Sequence, residues 1–503
     1  MADGHRAPIG ADWQAVLMAD STAKTTRTRT TRPSAASAAP GAAGRQTLLI
    51  LGASGDLTGR LLLPGVGSLL CSDRGKDLLL IGAGIQAWPK AKWIERIKDS
   101  FGTQNATGAR VDRLLADTEY VQADVTDPDQ LKMLLGKASG AVSIFFALPP
   151  AITEKACTAL TRIDLPRDTR LVLEKPFGID PATASRLNEL LVRLVPENHI
   201  FRVDHFLGKS TVLNLLGFRF ANRLFEPVLS SDHVDKVEVI FDEDLALEGR
   251  AGYYDGAGAL VDMIQSHLLQ VLAILTMDPP PTLGAADLRD RKAEILRATR
   301  IWADDPVASS RRARYTGGTI GRRKVTAYSA SPGVDPKRKT ETLAEVTLEV
   351  NTWRWAGVPF VLRSGKALGT RRKEAVITFK PAPRVPDGFR GTALPERLHI
   401  GLGPDDLRLN FNVNGPGDPL ELDSIELAVS FGPGELSAYG EVLAGVMDGD
   451  PGLSVRGDSA VDCWRIVQPV LDAWRADKVP LDSYPAGSSG PRKWEEVGGD
   501  PQA

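Results

Sequence analysis

The chain has 503 residues, the length of roughly two to four domains. Hydrophobic residues make up 43% and charged residues 25%, a globular composition with enough apolar surface for sizeable cores. Lys+Arg is 61 against Asp+Glu 63, a net charge of −2, which argues against a dedicated nucleic-acid binder.

No run approaches the roughly 18 apolar residues of a membrane span, and no secretory signal opens the chain, so no membrane partner is expected. Cys71, Cys157 and Cys463 are scattered without C-x-x-C spacing. That argues against a disulfide framework and a thiolate metal site, and fits a cytoplasmic protein with no metal.

Residues 21–45 hold five basic residues, no acid and almost nothing to bury. This is the composition of a disordered, solvated tail, and 1–45 is read as one. A basic anchoring arm and an unremoved targeting segment are the alternatives, but Asp3, Asp12 and Asp20 precede the stretch. With six basic and three acidic residues in 1–45, residues 46–503 keep 55 and 60. The near-neutral total thus hides a mildly acidic body, for which no nucleic-acid partner is expected.

At Thr47 the pattern changes. Thr47–Leu51, Leu78–Gly82, Tyr120–Ala123, Ser143–Leu148 and Arg170–Glu174 are short apolar runs. Helix-compatible segments such as Ala91–Phe101 and Pro128–Gly136 lie between them. Strands alternating with helices predict an α/β Rossmann-like domain with a parallel sheet, over about 46–180. Further on, Val234–Phe241, Ala344–Val350, Val358–Arg363, Ala375–Lys380, Arg397–Gly401, Leu407–Val413 and Ile425–Phe431 read as strands. Few helices separate those after 340, so a largely antiparallel sheet is expected. Pro181–Leu194, Ala259–Leu275 and Ala438–Met447 read as helices. The second domain is α+β, over about 181–490, and 491–503 reads as a loose tail.

Gly52-Ala53-Ser54-Gly55-Asp56-Leu57 follows the first strand and opens a helix. Glycine there lets the backbone approach a pyrophosphate at the helix N-terminus. The motif is not strict G-x-G-x-x-G, and a plain strand–helix turn is the alternative; the preceding strand favours nucleotide binding. An acid near the end of the second strand would favour NAD and an arginine NADP. That strand ends in Gly84-Ile85-Gln86, which offers neither. Lys90 and Lys92 are close in sequence, with pointing to solvent as the alternative, so cofactor preference stays open.

Three charged clusters follow. Glu174-Lys175-Pro176-Phe177-Gly178 comes just after the fifth strand, where open sheets bind ligands. Arg202-Val-Asp204-His205-Phe-Leu-Gly208-Lys209 joins cations suited to a phosphate with an Asp–His pair suited to general-base work. The third runs from Arg250 through Tyr253, Tyr254, Asp255 and Asp262 to His267. A structural ion-pair cluster is the alternative for the first two. A core histidine is the alternative for His267, which lies among Leu268, Leu269, Val271 and Leu272. Asp262 and His267 are five apart, about 140° around an α-helix, so His267 needs a partner from elsewhere; Asp204 is the candidate.

At these clusters the chain resembles the glucose-6-phosphate dehydrogenase family. The resemblance rests on the glycine turn, EKPFG at 174–178, RVDHFLGK at 202–209, RFAN at 219–222 and EGRAGYYD at 248–255. It continues through the stretch to His267, NTWRWAGVPFVLRSGK at 351–366 and WRIVQP at 464–469. It implies oxidation of glucose 6-phosphate at C1 to the 6-phosphogluconolactone with NADP or NAD, the first step of the oxidative pentose phosphate pathway. It also implies a Rossmann-like domain, then an α+β domain with a large, mainly antiparallel sheet through which dimers or tetramers assemble.

Carried over by position, the resemblance makes His267 the general base and Asp204 the carboxylate that holds it. His205, Lys209, Glu243, Asp262, Lys366 and Arg371 become sugar-phosphate ligands. Gly52, Ala53, Ser54, Gly55, Asp56, Leu57, Gln86, Asp124, Val125, Pro149 and Lys175 line the cofactor. Four departures stand out: Phe206 for a tyrosine, Val261 for an arginine, Ser266 for an asparagine, and Ile85 for the arginine that meets the 2′-phosphate. Losing one charge-assisted contact costs about 1.5–3 kcal/mol, so a reduced NADP preference is expected. Oxidation of another aldose phosphate and a non-catalytic regulatory relative are the rival readings.

Overall fold

The computed structural model describes residues 44–497 apart from 250, 416 and 433. The expected tail before residue 44 and the chain end from 498 lie outside the described residues.

Six strands form a parallel sheet: β1 (Gln46–Leu51), β2 (Leu78–Gly84), β3 (Glu119–Gln122), β4 (Val142–Phe146), β5 (Arg170–Glu174) and β6 (Ile200–Val203). Their order is β6-β5-β4-β1-β2-β3, that of a Rossmann fold. The chain winds outward from β1 to β3, returns to β4 beside β1 and winds the other way. Ligands bind at that switch, at the strands' carboxyl ends. Leu48, Leu49, Ile50 and Leu51 are fully buried, because a central parallel strand is covered on both faces. The helix Lys90–Gly102 buries Trp93, Ile97 and Phe101, spaced by four so that one stripe meets the core.

The sheet runs past the expected boundary at 180. Helix Pro181–Leu194 starts with a capping box, Asp180 accepting from the Thr183 amide at 2.7 Å. It crosses over to β6, so a break at 180 cuts through a β–α–β unit. Later residues also return to this domain. Ser454–Val455 pairs antiparallel with β6. Helix Ala438–Asp448 joins the core on one face of the sheet through Tyr439, Val442, Leu443 and Val446.

The second sheet has ten strands around β7 (Val234–Asp242), one of them, Thr299–Ile301, pairing with Leu343–Val350 off the main order. Leu422–Ser430, Asp406–Asn414, Arg397–Gly401 and Arg372–Phe379 lie to one side, and Pro359–Gly365, Leu343–Val350, Ser310–Thr316 and Leu481–Pro485 to the other. The pairings are antiparallel except β7 with Pro359–Gly365 and Ser310–Thr316 with Leu481–Pro485. The helical stretch Ala251–Thr276 passes the test of length and apolarity for a membrane span, yet 83% of its most apolar window is buried inside the protein. Its last turns, Leu269–Thr276, are buried all round, as in a core helix.

The chain end corrects one expectation. Residues 491–497 are not loose: Arg492–Val497 is helical, and Trp494 is buried with its indole N–H donating to Asp482 at 2.7 Å. A buried tryptophan with a satisfied donor anchors the segment.

Candidate active site

The glycine turn closes against the end of β4. Gly52 has φ +87°, and a Cβ there would lie 2.2 Å from the Ala147 carbonyl oxygen. No other residue fits that conformation and that contact. The Gly55 amide donates to the Gly52 carbonyl at 2.9 Å, tightening the turn ahead of the helix. Ala53 is fully buried, so only its backbone faces the turn, while Asp56 is exposed and pairs with Arg60 at 3.1 Å. A bare backbone turn at a helix N-terminus suits a dinucleotide pyrophosphate. Nearby, Pro149 follows β4, Asp124 accepts from the Thr126 amide and hydroxyl at 2.9 and 2.7 Å, and Val125 turns into the core. Ile85 is 74% exposed at the end of β2, with Gln86 exposed beside it.

Beyond β5 lies a dense cluster. Asp204 Oδ1 is 2.5 Å from His267 Nδ1, and both residues are buried. The same oxygen accepts from the Phe206 amide at 2.9 Å. The bond to Nδ1 leaves Nε2 as the free nitrogen of His267. Phe206 stacks on His267, centroids 4.2 Å apart and planes 10° apart, and Lys209 Nζ sits 3.8 Å from the Phe206 centroid. His205 lies between His267 and Tyr439 at 4.7 and 5.7 Å.

Lys175 binds the π-wound helix directly. Its Nζ donates to Asp262 Oδ1 at 2.9 Å and to the Asp262 carbonyl at 2.6 Å. Leu260–Leu268 has the wider i→i+5 winding, so the 140° separation expected for Asp262 and His267 does not apply. Residues five apart sit nearly above one another in such a turn.

Three neighbouring strands bring the remaining cations together. Glu243 follows β7, Lys366 follows Pro359–Gly365, and Lys373 lies opposite Phe241 in the next strand. Lys366 Nζ donates to Glu243 Oε2 at 2.7 Å and Lys373 Nζ to Oε1 at 3.4 Å. Arg371, expected here, instead forms an exposed ion pair with Asp244 at 3.5 Å. Arg371 precedes the strand, whereas strand alternation turns Lys373 toward Phe241, its Nζ 4.2 Å from the ring centroid.

Burial and neighbouring charges set the protonation states. Burial holds His267 below its usual range although Asp204 opposes this, so the imidazole is neutral at neutral pH. Burial works against Asp204 ionisation, but His267 beside it and the Phe206 amide hold its pKa at about 2. Burial, with the nearby His267, lowers His205 to about 3, so His205 meets an anion as a neutral N–H donor. Burial and Lys373 lower Lys209 to about 8. Burial also opposes the Lys175 charge, but Asp262 and Tyr253 keep it above its usual range. Glu174 is raised to about 7 by burial, and accepts from the Tyr439 hydroxyl at 3.1 Å.

Sequence reading missed Lys373 and Tyr439. Lys373 closes a run of three basic residues after a glycine loop, where register is unreadable. Tyr439 arrives on a helix from far along the chain, and only the fold places it.

Fold and site together define a class, an oxidoreductase that works with a nicotinamide dinucleotide, NADP or NAD. The family model for the glucose-6-phosphate dehydrogenase NAD binding domain matches residues 49–214, and that for the C-terminal domain matches 216–501. A glucose-6-phosphate 1-dehydrogenase of Gluconobacter oxydans is 37% identical over 88% of this chain and 94% of its own. A glucose-6-phosphate 1-dehydrogenase 2 of Mycobacterium bovis is 35% identical over 90% and 93%. The crystal structure of the glucose-6-phosphate 1-dehydrogenase of Mycobacterium avium superposes with a TM-score of 0.79 at 31% identity, covering 91% of this chain and 97% of its own. A glucose-6-phosphate dehydrogenase solved with its substrate glucose 6-phosphate also reaches 0.79, at 28% identity and 90% and 96% coverage. The chain belongs to the glucose-6-phosphate dehydrogenase family.

Proposed function

We propose that the protein oxidises D-glucose 6-phosphate at C1 to 6-phospho-D-glucono-1,5-lactone, with NADP or NAD as the acceptor. The observation that carries this reading is the buried Asp204–His267 pair at 2.5 Å, ringed by Lys175, Lys209, Lys366 and Lys373. When bound, the nicotinamide accepts the hydride that leaves C1. Neutral His267 takes the C1 hydroxyl proton on Nε2, and Asp204 fixes the tautomer and balances the imidazolium that forms.

Lys209, with His205 as a neutral donor, binds the phosphate; Lys373 adds a second charge on that side. Glu243, Lys366 and Asp262 bind sugar hydroxyls. Lys175 holds Asp262 and stands between the sugar and the nucleotide turn at 52–57. Asp124, Val125, Pro149 and Gln86 line the nucleotide.

The Rossmann-like domain is the nucleotide module and the large sheet the substrate and assembly module, with their division after Val203 rather than at 180. Assembly as a dimer or tetramer is supported by Ile425, Leu427 and Val429, which are exposed on the edge strand Leu422–Ser430. The mildly acidic body, with Cys71, Cys157 and Cys463 all free, fits a cytoplasmic enzyme. The test is formation of reduced nicotinamide from glucose 6-phosphate; no product with either cofactor, from a folded protein, rejects the reading.

A further inference from the structure

The end of β2 lacks both customary ribose partners. No acid and no arginine occurs from Gly82 to Ala87, and Ile85 is largely exposed. The following helix nevertheless brings two cations to this spot. Lys92 and Arg96 lie one turn apart on Lys90–Gly102. Lys92 Nζ is 4.6 Å and the Arg96 guanidinium carbon 5.5 Å from the Trp88 ring centroid. Trp88 is itself held by stacking on Tyr120 of β3, at 5.4 Å and 23°.

Arg96 donates to the Gly55 carbonyl of the glycine turn at 2.5 Å, and its Nε is buried without a partner. Lys92 has no ion pair or hydrogen bond among the described residues, only the Trp88 face. Two further cations have partners of their own: Lys90 donates to the Ala116 carbonyl at 3.2 Å, and Arg60 pairs with Asp56. A positive pair with spare donors therefore sits between the glycine turn and the end of β2, where the 2′ position of an adenosine ribose lies in this fold.

We propose that Lys92 and Arg96 form a 2′-phosphate site that replaces an arginine at position 85, so that the protein favours NADP over NAD. This reverses the preference expected from Ile85 alone, and it rests on the nucleotide-binding half of the proposed function. A helix-borne pair can take the place of a loop arginine because phosphate needs cations with donors, not one particular position.

The test is calorimetric titration of the full-length protein with 2′-phospho-ADP-ribose and with ADP-ribose, without sugar phosphate. The wild type binds the phosphorylated probe at least about tenfold more tightly, as one or more charge-assisted contacts require. Lys92→Ala removes most of that margin and leaves ADP-ribose affinity unchanged, Lys92→Arg retains it, and added salt shrinks it. Arg96→Ala also reduces the margin. If it weakens both probes equally, Arg96 only braces the turn and its part of the proposal falls. Equal binding of both probes by the wild type, or an intact margin in the Lys92→Ala/Arg96→Ala double variant, overturns the proposal. Tight, phosphate-dependent binding without turnover of glucose 6-phosphate would leave this site standing and remove the reaction alone.

Discussion

At the scale of single residues, the decisive feature is a neutral histidine held by an ionised carboxylate, with the Lys175 charge close by. It dictates a pH profile. Burial keeps the His267 pKa below its usual value of 6.5, so the proposed base is lost only as pH falls through that lowered value. Lys209 is charged below about 8 and loses its charge as pH rises through it. The kcat/KM for glucose 6-phosphate should therefore hold down to below pH 6.5 and fall above about pH 8. The alkaline limb belongs to kcat/KM, because bound phosphate keeps Lys209 protonated in the complex. An acid limb centred above the ordinary histidine range contradicts the assignment. Most of this cluster is legible in the sequence, because RVDHFLGK packs its groups into eight residues. The partnership of Asp262 with Lys175 is not. The two lie 87 residues apart, and hydrophobic periodicity carries no mark of the π-winding of Leu260–Leu268 on which Asp262 sits.

At the scale of elements, one carboxylate ties three of them together. Glu197 precedes β6 and accepts from buried Arg202 at 2.8 and 3.2 Å. It also accepts from Arg289 of helix Ala285–Ala298 at 2.8 Å and from the Gly457 amide, at the start of helix Gly457–Arg475, at 3.0 Å. Arg202 is wholly inaccessible to solvent. Removing Glu197 leaves that charge buried and unpaired, a loss of about 3 kcal/mol. Chemical denaturation of Glu197→Ala should show a fall of that order, while Glu197→Gln, which keeps acceptor oxygen but not charge, falls less. No change in Glu197→Ala contradicts the role. Strands with clean apolar alternation are legible, and all seven expected after residue 230 form within three residues of their expected ends. Ser310–Thr316 is not. Its Arg311 and Arg312 hide the pattern by pairing with Glu345 and the Val479 carbonyl. The two-residue strand Ser454–Val455 is too short to carry any pattern.

At the scale of the whole molecule, the two sheets are not successive beads on the chain. Helix Ala438–Asp448 and strand Ser454–Val455 fold back onto the Rossmann sheet, and Tyr439 reaches Glu174 and His205 in doing so. A contiguous reading of domains misses this, since chain return is a tertiary fact. Gly208 shows how closely the parts meet: a Cβ there would lie 2.3 Å from the Ala438 carbonyl. The exposed Ile425, Leu427 and Val429 form an apolar stripe on an edge strand, which a partner subunit would cover. Leu427→Glu should shift the molecular mass seen by light scattering toward the monomer. An unchanged mass contradicts assembly through this strand.

Everything proposed for the reaction turns on His267 as the base for oxidation at C1. The direct measurement is the rate of nicotinamide reduction by glucose 6-phosphate in the wild type and in His267→Ala, with substrate affinity measured alongside. Turnover is expected to fall by about 10²–10⁴-fold with little change in substrate affinity. Near-normal turnover in the variant would contradict it.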